Sequence, residues 1–243
     1  MTTFSDPAGS GTSIGRPFDE NISHGYPENM ISRWRKMLIL ASVVTVGIVF
    51  SITGCTSTMI SIPSPMPTSQ FWSIISAARG TSNPTAPSAT PSALKRQLEA
   101  LSDAKIAAFS IRYDETMIRL NRWTIWDAGY AAAQGMGDDD FDYFRAWLIG
   151  KGEKVAQQAE ADPDELVRYF TPIDASKDDF DNESLDYVAD DILSKRFGQA
   201  ADDSFDDKTA TKLDDDPPGK ETNEKTIDAR YPLLTAWAKQ NDH

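Results

Sequence analysis

Cysteine and histidine are nearly absent from this chain of 243 residues. It has one cysteine, Cys55, and two histidines, His24 and His243. A single cysteine excludes an intrachain disulfide. Only His243 follows Cys55, so a mature chain that begins at Cys55 lacks the residues for a Ser-His-Asp triad, a Cys-His pair or a histidine-based zinc site. The chain also lacks a glycine-rich phosphate loop of either common spacing.

Basic residues are few relative to acidic ones. The chain has 24 Lys and Arg against 37 Asp and Glu, which gives a net charge of -13, and residues 101–243 carry all of this excess. Such a surface repels phosphate backbones, so nucleic acid is excluded as a partner. If the chain binds a partner through an acidic surface, that surface is expected in the C-terminal part. A mean hydropathy of -0.43 excludes a multi-span membrane protein but allows one span.

The N-terminal region predicts a targeting segment. Residues 1–29 are rich in small and polar residues, which indicates disorder or a start placed upstream of the true one at Met30. Three positive charges at positions 33–36 precede an apolar run over 37–50. A positive region followed by an apolar one is typical of a secretory signal peptide or a membrane anchor. We therefore expect residues 30–54 to be that segment.

The tetrad Ile52-Thr53-Gly54-Cys55 resembles a bacterial lipobox. The resemblance implies cleavage between Gly54 and Cys55 and a diacylglyceryl group on the Cys55 thiol. An uncleaved single-pass anchor is the alternative, although residues 37–54 are short for the roughly 20 residues of a spanning helix. Both interpretations keep the positive charges inside and place the rest of the chain outside the cytoplasm. A tether rich in Pro, Ser and Thr is predicted over 55–67.

Helical periodicity dominates residues 68–198, and no alternating strand pattern of any length occurs there. The pattern predicts an all-α domain, a compact bundle of about seven helices, with the helix over 141–150 as its most buried element. A low-complexity loop without apolar surface is predicted over 80–91. Residues 199–243 are expected to be an acidic, mostly disordered tail. Within it, the apolar residues 231–237 either dock on the domain or bind a partner.

The order of aromatic and acidic motifs across residues 68–195 resembles a bacterial family of domains of unknown function, number 4240 in that series. The motifs include Arg122-Trp123-x-x-Trp126, the block from Phe141 to Ile149, and Asp162-Pro163-Asp164-x-Leu166. The resemblance supports a helical domain and implies no activity. The signature residues of the domain are Trp123, Trp126, Asp127, Asp139, Phe141, Phe144, Arg145 and Trp147.

Two acidic clusters place carboxylates at the first, third and fifth positions, as the calcium-binding loop of an EF-hand does. In Asp138-x-Asp140-x-Asp142, however, the sixth position is Tyr143 and the twelfth is Ile149, where such a loop needs Gly and Glu. The cluster formed by Asp179, Asp181 and Glu183 fails in the same way. Charge at a helix N-terminus explains the first cluster better. We expect neither a metal nor a cofactor.

Three carboxylates lie among aromatic residues, as the acid of a glycosidase does: Asp114, Glu115 and Asp127. The competing interpretation pairs Asp127 with Arg122 or Arg145 as structural polar groups. Arg145 lies in the most apolar helix, three residues after Asp142, and has to bond a carboxylate, with Asp127 as the long-range candidate. Three tryptophans could likewise form a binding platform, although core positions are commoner: Trp123, Trp126 and Trp147.

These observations predict a membrane-anchored extracytoplasmic lipoprotein. Its acidic all-α domain is expected to be a protein-interaction module that contacts the membrane through its lipid anchor and a protein partner through its acidic face. No catalytic residue is assigned. The alternative is a small cell-wall-acting enzyme that uses carboxylate acid/base catalysis.

Overall fold

The computed structural model describes residues 63–171, 180, 182–197 and 217–241. These residues form helices and no strand. In the part of the chain that is described, nine helical segments lie between Thr68 and Phe197, where the sequence predicted about seven, and three more follow in residues 217–241. The helices, with two 3-10 segments labelled η, are α1 (Thr68–Arg79), α2 (Pro91–Glu99), α3 (Asp103–Leu120), α4 (Trp123–Ala133), α5 (Asp138–Lys151), α6 (Glu153–Ala161), η1 (Pro163–Tyr169), α7 (Glu183–Asp186), α8 (Val188–Phe197), η2 (Glu224–Thr226), α9 (Ile227–Arg230) and α10 (Pro232–Asn241).

Side chains and glycine set several helix boundaries. The Thr90 side chain accepts a hydrogen bond from the backbone N–H of Ala93, 3.3 Å away, and caps α2. The carboxylate of Asp140 accepts from the backbone N–H of Gly137 at 2.9 Å, at the start of α5. Helix α1 ends at Gly80, whose φ of 69° is left-handed.

Helix α5 is the centre of the fold, in agreement with its apolar sequence. It packs against α1, α3, α4, α6 and α7. Nearly all of its residues from Phe141 onward are buried, and the buried set includes Arg145 and Lys151. A helix contacted on so many sides has to satisfy its charged groups from within the core. The Lys151 ammonium does so by donating to the carbonyl of Tyr169 at 2.7 Å.

The segment over 163–169 is a 3-10 helix rather than an α-helix. Its hydrogen bonds span three residues, as in the bond from Phe170 N–H to the Val167 carbonyl. In a 3-10 helix, residues three apart lie on the same side. Leu166 and Tyr169 are three apart and both buried, so the tighter helix directs both into the core.

The folded domain begins before the predicted boundary at residue 68. Met66 is buried, its N–H donates to the carbonyl of Ala108 at 2.7 Å, and its own carbonyl accepts from Arg112 Nε at 2.7 Å. Met66 is therefore part of the domain rather than of the tether predicted over 55–67. Residues 55–62 lie outside the described part of the chain.

The loop over 80–91 is tied to the core, which corrects the expectation that it offers no apolar surface. Ala89 is buried, and its N–H donates to the carbonyl of Gly150 in α5 at 2.9 Å. The Ser88 hydroxyl donates to the Trp147 carbonyl at 3.3 Å, and Arg79 donates to three carbonyls of the loop. Small residues allow this close approach, because a Cβ on Gly150 would lie 2.0 Å from Ser88 Oγ.

Residues 217–241, here called the C-terminal strap, correct the prediction of a mostly disordered acidic tail over 199–243, whereas the docking expected for residues 231–237 is found. They contain η2, α9 and α10, and they dock on α4 and η1. Ile227, Tyr231 and Leu234 are buried. These residues recur every three or four positions, a helical spacing that the acidic composition around Ile227 obscures. Residues 198–216 lie outside the described part of the chain.

Candidate functional site

The signature aromatic residues pack against one another rather than forming an open platform. Trp147 is 1% exposed and its ring lies 5.1 Å from that of Phe180 and 5.7 Å from that of Phe144. Half-buried Trp126 lies 4.9 Å from the buried ring of Phe141 and 5.5 Å from half-buried Trp123. Their main contribution is to the core.

Arg145 bonds a carboxylate, but its partner is Asp142 rather than Asp127. The Arg145 side chain is fully buried, and one terminal nitrogen forms an ion pair with Asp142. The other donates to the carbonyl of Met117 at 3.2 Å, and the guanidinium lies 4.6 Å from the centre of the Phe141 ring. The position three residues earlier on the same helix supplies the nearer carboxylate. Asp127 faces another cation, described below.

A group of titratable side chains surrounds Arg145 where α3, α5 and α7 meet. Burial raises the pKa of the Asp186 carboxyl to about 7, the negative charge of Asp142 adds to the rise, and Arg145 opposes it. Burial also raises the pKa of Tyr113 well above its ordinary value, and the charge of Asp186 contributes. We call Tyr113, Asp142, Arg145, Glu183 and Asp186 the Arg145 cluster.

Sequence reasoning missed Asp186 and Tyr113 in this cluster. The Tyr113 hydroxyl and Arg145 Nε are buried and have no hydrogen-bond partner among the described residues. Tyr113 lies in the apolar stripe of α3, and Asp186 sits beside the apolar stripe of its own helix. Neither position carries a local signal, because only the packing of α3 and α7 on α5 brings them to Arg145.

Asp127 forms the second polar site of the domain. It lies on α4, is 1% exposed, and accepts from Arg230 at 2.7 Å through one oxygen and from the hydroxyl of Thr222 at 2.5 Å through the other. Both partners belong to the C-terminal strap. Of the cations proposed from sequence, Arg122 pairs with Glu160 at 3.4 Å. We call Asp127, Thr222 and Arg230 the Asp127 site.

Asp164 holds the strap at a second point. Its carboxylate accepts from the backbone N–H groups of Leu233 and Leu234, at 3.1 and 3.0 Å, in the first turn of α10. A carboxylate is stabilised there by the helix dipole and by amides that have no partner within the helix. The Tyr231 hydroxyl donates to the Thr124 carbonyl at 2.9 Å. Burial, together with Asp127 and Asp164, raises the pKa of Tyr231 to about 12.

The remaining candidate carboxylates do not come together as a catalytic pair. Glu115 forms an ion pair with Arg112 at 2.7 Å, whereas Asp127 is held by the strap. Asp114 is buried on α3 and contributes to the rise in the pKa of Tyr113. Each of these three carboxylates therefore has different neighbours in the fold. They were grouped only because they lie near one another, and near aromatic residues, along the chain.

The acidic run at the start of α5 divides between two roles. Asp138, Asp139 and Asp140 are exposed in the first turn, where Asp140 caps the helix, while Asp142 pairs with Arg145. Within the described ranges, no three Asp, Glu, His or Cys side chains are grouped as ligands for a metal ion. Of the second predicted cluster, only Glu183 is described.

Residues 66–195 match the family described as "Protein of unknown function (DUF4240)". The chain belongs to the DUF4240 family. The match spans just over half of the chain and agrees with the resemblance seen in the aromatic and acidic motifs. No curated protein matches the chain, and no solved structure does. The DUF4240 match contains Arg145, Asp127 and Asp164 but ends before the strap.

Two sequence assignments lie outside the described residues. Gly54 and Cys55, the predicted cleavage and lipid-attachment positions, precede residue 63, as does the whole of the predicted signal peptide. Among the helices that are described, none has the length and apolar character needed to span a membrane.

Proposed function

We propose that this DUF4240 protein is a lipoprotein anchored to the outer face of the cytoplasmic membrane, where its acidic α-helical domain binds a protein partner. The observation that carries the proposal is the tetrad Ile52-Thr53-Gly54-Cys55, which follows a positively charged and then apolar segment and contains the only cysteine of the chain. Ten residues separate Cys55 from Met66, the first residue seen to pack in the domain. That spacing suits a short extended tether.

Anchoring strength supports a lipid on Cys55. One acyl chain gives marginal membrane binding and two give stable attachment, at about 0.8 kcal/mol for each buried methylene group. A diacylglyceryl group meets this need. The apolar stretch over 37–54 is short for a spanning helix.

Surface charge supports the binding role. The acidic excess of the chain lies in residues 101–243, and the acidic first turn of α5 is exposed. Aromatic side chains that could bind a ligand are largely committed to the core, as Trp147 and Phe141 illustrate. Recognition by this domain therefore uses charged surface and grooves between helices, and this favours a protein partner over a small apolar ligand.

The test is replacement of the acceptor thiol. Cys55→Ser should abolish labelling by a lipid precursor and leave the precursor unprocessed in the membrane fraction. Mass spectrometry of the membrane-extracted wild-type protein should show a mature chain that begins at acylated Cys55. Ser51→Ala, outside the tetrad, should be processed normally. A wild-type protein with an intact Met1 or Met30 terminus and unmodified Cys55 would contradict the proposal and leave an uncleaved anchor.

A cell-wall-acting enzyme is the second candidate, and Asp186 favours it. A carboxyl with a pKa of about 7 beside a second carboxylate can donate or accept a proton near neutral pH. In this candidate the Arg145 cluster would be the reaction centre. Purified full-length protein should then release soluble fragments from cell-wall polymer, and Asp186→Asn should abolish the release. Equal release by both proteins, or none, would remove this candidate.

A further inference from the structure

One side of helix α3 carries basic residues on a chain whose net charge is -13. Lys105, Arg112 and Arg119 recur every seven residues, which is close to two turns, so they lie along one side of the helix. Arg122 follows the end of α3, and its guanidinium is brought near that of Arg119 because both pair with Glu160, at 3.4 and 2.8 Å. We call Lys105, Arg112, Arg119 and Arg122 the α3 basic stripe.

The α3 basic stripe keeps a positive charge after its ion pairs are counted. Glu160 pairs with two of its arginines, and Glu115 pairs with Arg112 at 2.7 Å. Lys105 is exposed and forms no ion pair with a described residue. The four cations and these two carboxylates together have a net charge of +2, which is opposite in sign to the net charge of the chain. This side of α3 therefore attracts an anionic surface.

The chain enters the domain on the same side of α3. Met66 donates its N–H to the carbonyl of Ala108, and its own carbonyl accepts from Nε of Arg112, both at 2.7 Å. Pro63 precedes Met66 by three residues and is eight positions after Cys55. Even a fully extended connection from Cys55 to Pro63 therefore spans no more than about 30 Å. A membrane anchor that ends at Cys55 holds the α3 basic stripe within reach of the membrane surface.

Helices α5 and α8 pack on the opposite side of α3 from the basic stripe. Ser110 is two positions before Arg112, hence about half a turn around the helix, and it bonds Asp190 of α8 at 3.1 Å. Met117, also turned away from the stripe, accepts a hydrogen bond from Arg145 of α5 at 3.2 Å. When the stripe faces a surface, both helices therefore lie behind α3 and leave the stripe uncovered.

We infer that the α3 basic stripe is the membrane-facing side of the domain and lies against anionic phospholipid headgroups. Its positive charge complements such a surface, and the attraction acts over roughly one Debye length, about 8 Å at physiological ionic strength. The short tether supplies the proximity that so modest an attraction needs. Helices α5 and α8 then lie on the far side of α3 from the lipid, where a protein partner can reach them. This inference rests on the proposed membrane anchoring and names the surface that meets the membrane.

Fluorescent probes on the two sides of α3 test this orientation. The full-length protein is reconstituted in vesicles of phosphatidylcholine and phosphatidylglycerol. A fluorophore is attached to Ala104→Cys, beside Lys105, or to Asp191→Cys on α8, both at exposed positions. A lipid with a spin-labelled headgroup should quench the probe at position 104 at least twofold more strongly. Vesicles of phosphatidylcholine alone should remove the difference, as should an ionic strength near 1 M, where the Debye length is about 3 Å.

Removing two cations from the stripe should abolish the difference between the probes. The double variant Lys105→Gln, Arg119→Gln does this, and the matched control is Lys95→Gln, Lys195→Gln, on α2 and α8, which should keep the difference. Circular dichroism checks that each variant is folded, and the ionic-strength series decides the matter if one is not. Equal quenching of both probes, stronger quenching on α8, or a difference that persists in phosphatidylcholine alone overturns the inference.

Mass spectrometry of the same samples scores Cys55 separately. If Cys55 is unmodified, the probes are measured in a Cys55→Ser background, where an uncleaved segment over 37–54 leads into the same tether. Unmodified Cys55 with unequal quenching contradicts the lipid anchor alone. Acylated Cys55 with equal quenching contradicts the orientation alone, and a protein that does not stay with the vesicles contradicts both.

Discussion

Asp186 lies where α3, α5 and α7 meet, and burial together with the charge of Asp142 raises the pKa of its carboxyl from 3.8 to about 7. In the unfolded chain this carboxyl releases its proton near pH 4. Between about pH 4 and pH 7 the folded protein therefore binds more protons than the unfolded one, so the contribution of Asp186 lowers the free energy of unfolding as pH rises.

Asp186→Asn should remove this pH-dependent loss. Relative to the wild type, the variant should gain on the order of 2–3 kcal/mol of unfolding free energy between pH 4.5 and pH 7.5, with little further change above the folded pKa. Urea denaturation at a series of pH values measures the difference. Asp191→Asn, whose carboxylate is exposed on α8, is the matched control and should give a flat difference. A flat difference for Asp186→Asn as well would contradict the assignment.

Arg79, at the end of helix α1, organises the loop over 80–91. It donates to the carbonyls of Asn83 at 2.6 Å, Ala86 at 3.0 Å and Pro87 at 3.3 Å. These bonds hold the loop in the conformation in which Ser88 and Ala89 form hydrogen bonds with α5. A loop of low complexity thus becomes part of the domain through one side chain and a close contact at Gly150.

Arg79→Ala should loosen this loop and lower the free energy of unfolding by about 1–2 kcal/mol, since a typical hydrogen bond contributes about 1 kcal/mol and part of this site is exposed. Hydrogen exchange should show amide protons of residues 83–89 exchanging at least tenfold faster. Lys95→Ala breaks an exposed ion pair with Glu99 and should change neither measurement appreciably. Unchanged exchange in the loop would show that Arg79 does not hold it.

The strap joins positions 103 residues apart in the chain through Asp127 and Arg230. Arg230→Ala should lower the free energy of unfolding by about 2–4 kcal/mol, because it leaves the buried Asp127 carboxylate without its cation. Asp127→Asn in the same chain should recover part of the loss, so that the double-mutant cycle gives a coupling of about 1–3 kcal/mol.

Urea denaturation of the four proteins gives this coupling. The control pair is Asp228 and Lys239, which also lies on the strap and whose side chains are 67% and 66% exposed. That cycle should give well under 1 kcal/mol, as exposed ion pairs do. Additive losses for Asp127 and Arg230 would mean that the ion pair does not hold the strap to the domain.

Features that depend on local spacing along the chain could be predicted from the amino-acid sequence alone. Helical periodicity over 68–198 predicted the all-α class and the central position of the helix over 141–150, and both are found in the described residues. The need to pair a buried guanidinium predicted a carboxylate for Arg145. These inferences succeed because repeat spacing and the cost of an unpaired charge act within one or two helical turns.

Contacts between groups far apart in the sequence could not be predicted, because they depend on how the helices pack. The periodicity of α4 gives no information about Arg230, and the acidic composition around Ile227 predicted disorder where the strap docks. Asp186 likewise joins Arg145 because α7 packs on α5. Partners far apart in sequence are selected by which helix faces pack together, and that choice depends on the free energy of the whole fold rather than on any local pattern.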